Sequence, residues 1–319
     1  MTKRALFVVQ AVVTLALLIF LFRQFDWAAL AEIGSRLTPA FYLVSFGALV
    51  AGQAVYAWRW KVVLAGMGFR VPYADVVRQY LVGLFFSNLM PTAVGGDAAK
   101  VFYLGRRIGF IEAGASVLVD RFLGFFWLAM LGAALSWTSG ADTPLLILNR
   151  NLLTGIAALF AVLLALIWAV PVGRVIPPVL RRSRLGPIAA RFEELAGHVR
   201  AGGCRPATFA ASGAVVLAYV VLLALVYRAY FMAAGLTAPT LLPTMNVIVS
   251  MSVFVNLPIS VGGIGLREQL HYLLFAELGV PKEVSVSLSL LFFAYSLALG
   301  LAGYVIWLRM KPAPAAVPA

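Results

Sequence analysis

Asn88–Lys100 reads NLMPTAVGGDAAK, and Asn256–Arg267 reads NLPISVGGIGLR. Aligned on their prolines, the two stretches share P-x-x-V-G-G-x-x-x-[KR]. Pro91, Val94, Gly95, Gly96 and Lys100 fill the pattern first; Pro258, Val261, Gly262, Gly263 and Arg267 fill it again. Each copy follows an apolar run too short to span a bilayer comfortably and precedes a helical pattern. Proline cannot continue a helix, and a glycine pair permits turns and close backbone approach. Interrupted apolar segments at corresponding places in two halves of a chain are the sequence mark of a membrane binding site at mid-depth.

The chain around these copies is a membrane protein by composition. Of 319 residues 63% are hydrophobic and 12% charged, a balance outside the range of soluble globular domains. Its apolar runs are continuous rather than alternating, which argues for helices and against a β-barrel. The expected fold is all-α, with about six full spans and two re-entrant or broken helices. The net charge of +13 sits in short loops beside apolar runs. There it sets orientation and meets anionic lipid, so nucleic acid is not the expected partner. With one cysteine, Cys204, and two separated histidines, His198 and His271, neither a disulfide nor a zinc site is expected, and no cofactor.

The expected spans are 5–22, 41–65, 113–137, 152–170, 208–233 and 284–308. The first is read as a retained span rather than a cleaved signal peptide, although Ala29 and Ala31 form a small-x-small site. Trp58, Arg59, Trp60 and Lys61 read as an aromatic and basic belt at an interface. Between the third and fourth spans lies a loop with Asp142 and Arg150. Residues 173–205 form a basic loop, expected to be cytoplasmic. Within it Ile188, Phe192, Leu195 and Val199 share one helical face, suited to the membrane surface or to packing on the spans. The 311–319 tail is Pro-rich and expected to be disordered. Positive charge flanks the first motif and is sparse around the second, so the first re-enters from the cytoplasm and the second from outside. That makes two pseudo-repeats, about 41–137 and 208–309, of inverted topology, in a single domain with both termini cytoplasmic.

A helix is expected to start after each glycine pair, with Asp97 capping the first. Free N–H groups at such a start, with Lys100 and Arg267 a turn inside, suit a lipid phosphate. The competing reading is helix packing through glycine with snorkelling cations. Asp120 and Arg121 lie within an expected span, and adjacent helical residues cannot pair with each other. Lys100 for Asp120 and Glu268 for Arg121 are the partners suggested, unless both charges sit in water at the cytoplasmic end. Asn88 and Asn256 precede their prolines, placed to bond a freed carbonyl or a headgroup. Nucleotide patterns fail: Gly95 to Lys100 lacks the Walker spacing, and Gly263-Ile264-Gly265 lacks a third glycine and a preceding strand.

These motifs resemble the flippase-like transmembrane domain of the lysylphosphatidylglycerol synthase family. The resemblance rests on Arg59-Trp60, on Asn88-Leu89 through Pro91 to Gly96-Asp97, and on Asp120-Arg121 with Gly124. In the second half it rests on Asn256-Leu257-Pro258 and on Gly262 through Glu268. It covers nearly the whole chain. It implies a bacterial or archaeal inner-membrane protein with a role in moving lipid-linked or aminoacylated phospholipid between leaflets; the expected cargo is an anionic phospholipid or a lipid-linked headgroup. The aminoacyltransferase domain of full-length synthases has no counterpart here, so lysyl transfer is not implied. Tyr295-Ser296 stands where the family often has an arginine. Two other classes compete: a membrane-embedded lipid-modifying transferase using Asp97, Asp120 or Glu268 as acid or base, and a non-transporting partner of such an enzyme, docked through the basic loop.

Overall fold

The computed structural model describes residues 12, 27–89, 94–138, 143–169, 197–200, 205–237, 239–256 and 263–310. The expected first span apart from residue 12, the basic loop apart from 197–200 and 205, and the C-terminal tail fall outside them. So do Pro91, Pro258 and Gly262. Ten helices are described: α1 (Trp27–Arg36), α2 (Pro39–Gly66), α3 (Tyr73–Leu89), α4 (Val94–Ile108), α5 (Phe110–Thr138), α6 (Pro144–Ala169), α7 (Pro206–Ala233), α8 (Leu241–Val255), α9 (Leu266–Ala276) and α10 (Lys282–Arg309). No strand occurs among the described residues. The chain is an all-α polytopic membrane protein.

Five helices, α2, α5, α6, α7 and α10, are long and apolar enough to cross a bilayer. At 1.5 Å per residue, the 28 residues of α2 reach roughly 42 Å, beyond the roughly 30 Å hydrocarbon core. By contrast α8 has 15 residues and α9 has 11, each too short to cross. Five of the six expected spans, from 41–65 onwards, correspond to these helices with one shift; the first, 5–22, lies almost wholly outside the described residues. α6 begins at Pro144, where Thr143 Oγ1 accepts the Leu146 N–H at 3.3 Å, so Arg150 lies in the helix rather than in a loop. Its guanidinium stands 4.3 Å from the Trp137 ring centroid.

Local chemistry sets the helix ends. Thr38 caps α2 by accepting the Phe41 N–H at 3.2 Å, with Pro39 in the first turn. At its far end Gly68 adopts φ +94; its N–H bonds Ala65 O at 3.0 Å, and Phe69 N–H bonds Leu64 O at 2.9 Å. α7 ends in the same way. Gly235, at φ +82, bonds Met232 O at 3.0 Å, and Leu236 N–H bonds Phe231 O at 2.9 Å. Both are glycine-terminated ends in which the left-handed residue satisfies carbonyls the helix leaves free.

This correspondence extends to the packing. α3 packs on α4, and α8 on α9; α4 packs on α5, and α9 on α10. The two short pairs also reach across: α3 packs along α10, and α8 along α5. α2 and α7 pack on each other. Exchanging α2 with α7, α3 with α8, α4 with α9 and α5 with α10 maps these contacts onto one another. Even α6 against α5 has a counterpart in α1 against α10.

Candidate functional site

A cavity of about 320 Å³ opens between the two sets of helices. Gly124, at the middle of α5, and Tyr219, at the middle of α7, both line it, so it sits at half the height of the spans. Its polar wall carries three guanidiniums. Arg59 comes from α2, Arg121 from α5, and Arg267 from the start of α9. Phenols from Tyr56, Tyr80, Tyr219 and Tyr227 complete it with Asn256 and His271. The apolar wall includes Phe125, Leu128, Ile248 and Met251.

Arg59 is 5% exposed and is not part of an interfacial belt. Its Nε donates to Asp120 Oδ1 at 2.7 Å and its Nη2 to Oδ2 at 3.0 Å, a paired contact in which both side chains are almost wholly buried. Trp60 is buried too, its Nε1 donating to Ser116 Oγ at 3.1 Å; Trp58 alone of the two tryptophans is exposed. Gly124 makes room for this arrangement. A Cβ there would fall 2.7 Å from Arg59 Nη1. Asp120 and Gly124 stand one helical turn apart, so guanidinium and carboxylate lie flat along one face of α5.

Arg121 also differs from expectation. Its Nε donates to Asp97 Oδ2 at 2.8 Å and its Nη2 to Oδ1 at 3.2 Å. Its Nη1 reaches Asn256 Oδ1 at 3.5 Å. Arg121 thus touches both motif copies, Asp97 in the first and Asn256 in the second. Asp97 lies in the first turn of α4, its carboxylate committed to Arg121 and, at 3.6 Å, to Lys100 Nζ. Lys100 is 8% exposed and stands behind the cavity wall, 4.0 Å from the Tyr80 ring centroid and 5.6 Å from that of Trp60. The suggested partnerships of Lys100 with Asp120 and Glu268 with Arg121 are replaced by these. Glu268 turns inward instead: Oε2 accepts the Gly265 N–H at 2.7 Å and Oε1 the Ser289 hydroxyl at 3.0 Å.

The two glycine pairs do different work. α4 starts at Val94, before its glycines. A Cβ on Gly96 would stand 2.1 Å from Ser87 Oγ and 2.3 Å from the Gly83 carbonyl oxygen, so this glycine lets α3 and α4 touch backbone to backbone. Gly95 is buried within the same first turn. In the second copy Gly263 is at φ +76 in a turn, and α9 starts at Leu266. Asn88 ties α3 to α10, its Nδ2 donating to Ser296 O at 2.8 Å and its Oδ1 accepting the Ser296 hydroxyl at 3.2 Å. Asn256 ends α8 and donates to Ser252 O at 2.7 Å.

Of the residues singled out in the sequence, Arg121, Arg267 and Asn256 line the cavity. Asp97, Lys100 and Asp120 support it from behind. Gly96, Asn88 and Glu268 hold helices together. Arg59, His271 and the tyrosines were not foreseen. His271 is 2% exposed. Its Nδ1–H donates to Arg267 O at 2.8 Å, so its Nε2 accepts from the Tyr227 hydroxyl at 3.1 Å. The i, i+4 spacing of Asp120 and Gly124 was the available signal for a buried arginine across α5. The tyrosines carried none.

The lining is rich in hydrogen-bond donors and in guanidiniums, next to an apolar wall. Among the described residues no group of three His, Cys, Asp or Glu side chains is placed to hold a metal. No solved structure matches the chain. A UPF0104 membrane protein from the archaeon Pyrococcus horikoshii is 24% identical over 263 residues, which cover 74% of this chain and 77% of that protein. The model of the lysylphosphatidylglycerol synthase transmembrane region matches residues 7–303, a stretch that includes every residue of the cavity and both motif copies, and the chain belongs to that family.

Proposed function

We propose that this protein moves a phosphate-bearing lipid headgroup, an anionic phospholipid or a lipid-linked phosphate, between the leaflets of a bacterial or archaeal cytoplasmic membrane. The observation that carries this reading is the cavity at half height, with Arg59 and Arg121 from one half and Arg267 from the other. A guanidinium offers a fixed fork of donors that matches phosphate oxygens, and in a water-poor cavity such bonds are stronger than in bulk water. The phosphate would exchange water for these donors while its acyl tails remained in the bilayer.

Parity supports inverted halves. If the short pairs α3–α4 and α8–α9 each return to the face they left, then α2, α5, α6 and α7 alternate in direction. α2 and α7 are then antiparallel although they occupy equivalent places. The two halves would open towards opposite faces, which is the architecture expected for alternating access. The sparse positive charge near Leu241–Asn256 and the cluster in the last turn of α4, Arg106 and Arg107, support a cytoplasmic side for the first half's opening and for both termini. No nucleotide motif was found, so movement would be downhill or ion-coupled.

The test is leaflet exchange of fluorescent phospholipids in proteoliposomes, read by quenching from outside. Wild-type protein should accelerate exchange, and an Arg121→Ala, Arg267→Ala variant of unchanged circular dichroism should lose most of it. Wild-type exchange equal to that of empty vesicles across anionic phospholipids would sink the reading and favour the transferase or the non-transporting partner.

A further inference from the structure

We infer that Asp97 is a built-in competitor for the ligand's phosphate: it holds the Arg121 guanidinium until a phosphate displaces it onto Lys100, and its return to Arg121 expels the phosphate. This rests on the cavity being the phosphate site proposed above, and it names the residues that load and unload that site.

The two carboxylate–guanidinium pairs beside the cavity differ in what their carboxylates could do next. Asp120 and Arg59 are both 6% exposed. No second cation lies within ion-pair distance of Asp120 among the described residues, so leaving Arg59 would strand a buried charge. Asp97 and Arg121 are 20% and 33% exposed, and Asp97 has a second cation at hand. Lys100 Nζ stands 3.6 Å from Asp97 Oδ1, an ion pair just beyond hydrogen-bond reach. Asp97 and Lys100 are three residues apart on α4, neighbours on one helical face. The carboxylate can therefore pass from one cation to the other by turning about its own side-chain bonds, while the helix stays where it is.

Lys100 is built to receive it. Its side chain is 10% exposed, and beyond Asp97 its ammonium has the rings of Tyr80 at 4.0 Å and Trp60 at 5.6 Å. Rings attract an ammonium but accept no charge-assisted hydrogen bond, so a carboxylate freed from Arg121 gains by closing on Lys100. Arg121 lines the cavity, whereas Asp97 and Lys100 do not. Its Nε and Nη2, the edge now held by Asp97 at 2.8 and 3.2 Å, form the fork that a phosphate would take over bidentately. Arg121 also reaches Asn256 Oδ1 at 3.5 Å. The exchange thus cuts the first motif's tie to Arg121 and leaves the second motif's contact in place, which couples ligand arrival to the relation between the two halves.

The experiment is a double-mutant cycle on binding, with leaflet exchange measured beside it. Short-chain phosphatidylglycerol and inorganic phosphate are each titrated by calorimetry against the detergent-solubilised full chain: wild type, Asp97→Asn, Lys100→Met and the double variant, all of unchanged circular dichroism. Asp97→Asn should bind at least roughly tenfold more tightly than wild type, the size of a charge-assisted bond no longer contested. In proteoliposomes it should exchange lipid more slowly, since nothing then displaces the phosphate. Lys100→Met should bind more weakly than wild type, yet the double variant should match Asp97→Asn, because Lys100 acts only through Asp97. The pattern with both probes assigns the seat to phosphate itself, and the pattern with the lipid alone assigns it to a lipid headgroup; either upholds the exchange. Asp97 merely positioning Arg121 predicts weaker binding by Asp97→Asn. Lys100 acting as a distant charge predicts an equal loss in both backgrounds. Either of those results, faster exchange by Asp97→Asn, or no binding by any of the four proteins would overturn the inference. The expected binding pattern without lipid exchange by wild type would keep the inference and remove the transport reading. Lipid exchange by wild type, with weaker binding by Asp97→Asn, would do the opposite.

Discussion

Replacing Asp120 by Asn should destabilise the protein by about 3–5 kcal/mol, because it leaves the Arg59 guanidinium buried without its counter-charge. Both side chains are 6% exposed, and among the described residues the two bonds of 2.7 and 3.0 Å to Asp120 hold the Arg59 guanidinium. A per-residue unfolding entropy of about 2.1 cal/mol/K gives about 0.7 kcal/mol/K for 319 residues. The expected fall in midpoint is therefore about 4–8 °C, read by thermal unfolding in detergent with tryptophan fluorescence. The companion variant is Arg59→Met with Asp120→Leu, which removes both charges and keeps the volume. Burying a pair costs desolvation that nearly offsets its attraction, so this double variant should lie within about 1 kcal/mol of wild type. It should unfold at a higher temperature than Asp120→Asn alone. An Asp120→Asn protein as stable as wild type, or a double variant no better than the single, would refute the buried pair.

Gly96→Ala should lower stability by about 1–3 kcal/mol, since its Cβ would meet the Gly83 carbonyl. Gly114→Ala, in α5 with nothing within 4 Å of the added Cβ, should raise stability by up to about 1 kcal/mol. Melting curves with the same sign for both would contradict the close approach of α3 and α4. Single cysteines introduced at Arg70 and Thr237, both exposed, in a Cys204→Ser background should label from opposite faces of oriented vesicles. Labelling of both from the same face would rule out inverted halves.

Spans could be located in the sequence because long apolar runs suit a bilayer whatever their neighbours are. The broken helices were marked by two prolines and two glycine pairs at matching places. Helix faces were another matter. A helix apolar on all sides has no periodicity to say which side meets which neighbour. Arg59 therefore read as an interfacial anchor between two tryptophans, although it pairs across to a residue 61 positions away. The partner of Arg121 was sought in the opposite motif, yet the carboxylate it binds is 24 residues before it. The glycine pairs looked alike on paper. The first pair lies within a helix, whereas Gly263 of the second stands in a turn. Charges at membrane depth were correctly singled out as needing partners; which partners depended on packing that the sequence does not encode locally.

The crossing of α3 onto α10 and of α8 onto α5 has a consequence for how the chain is made. Asn88 waits for Ser296, 208 residues later. Gly303 packs against the Leu81 carbonyl, where a Cβ would come within 2.1 Å, so that contact too forms only at the end of synthesis. At roughly 5–20 residues per second the ribosome needs roughly 10–40 s to supply α10 after α3 has emerged. For that time the first short pair stays in the membrane with one flank unpartnered, whereas the second short pair finds α5 already in place. The nascent first half is thus the vulnerable species during biogenesis, the stage at which insertion machinery or quality-control proteases meet this protein.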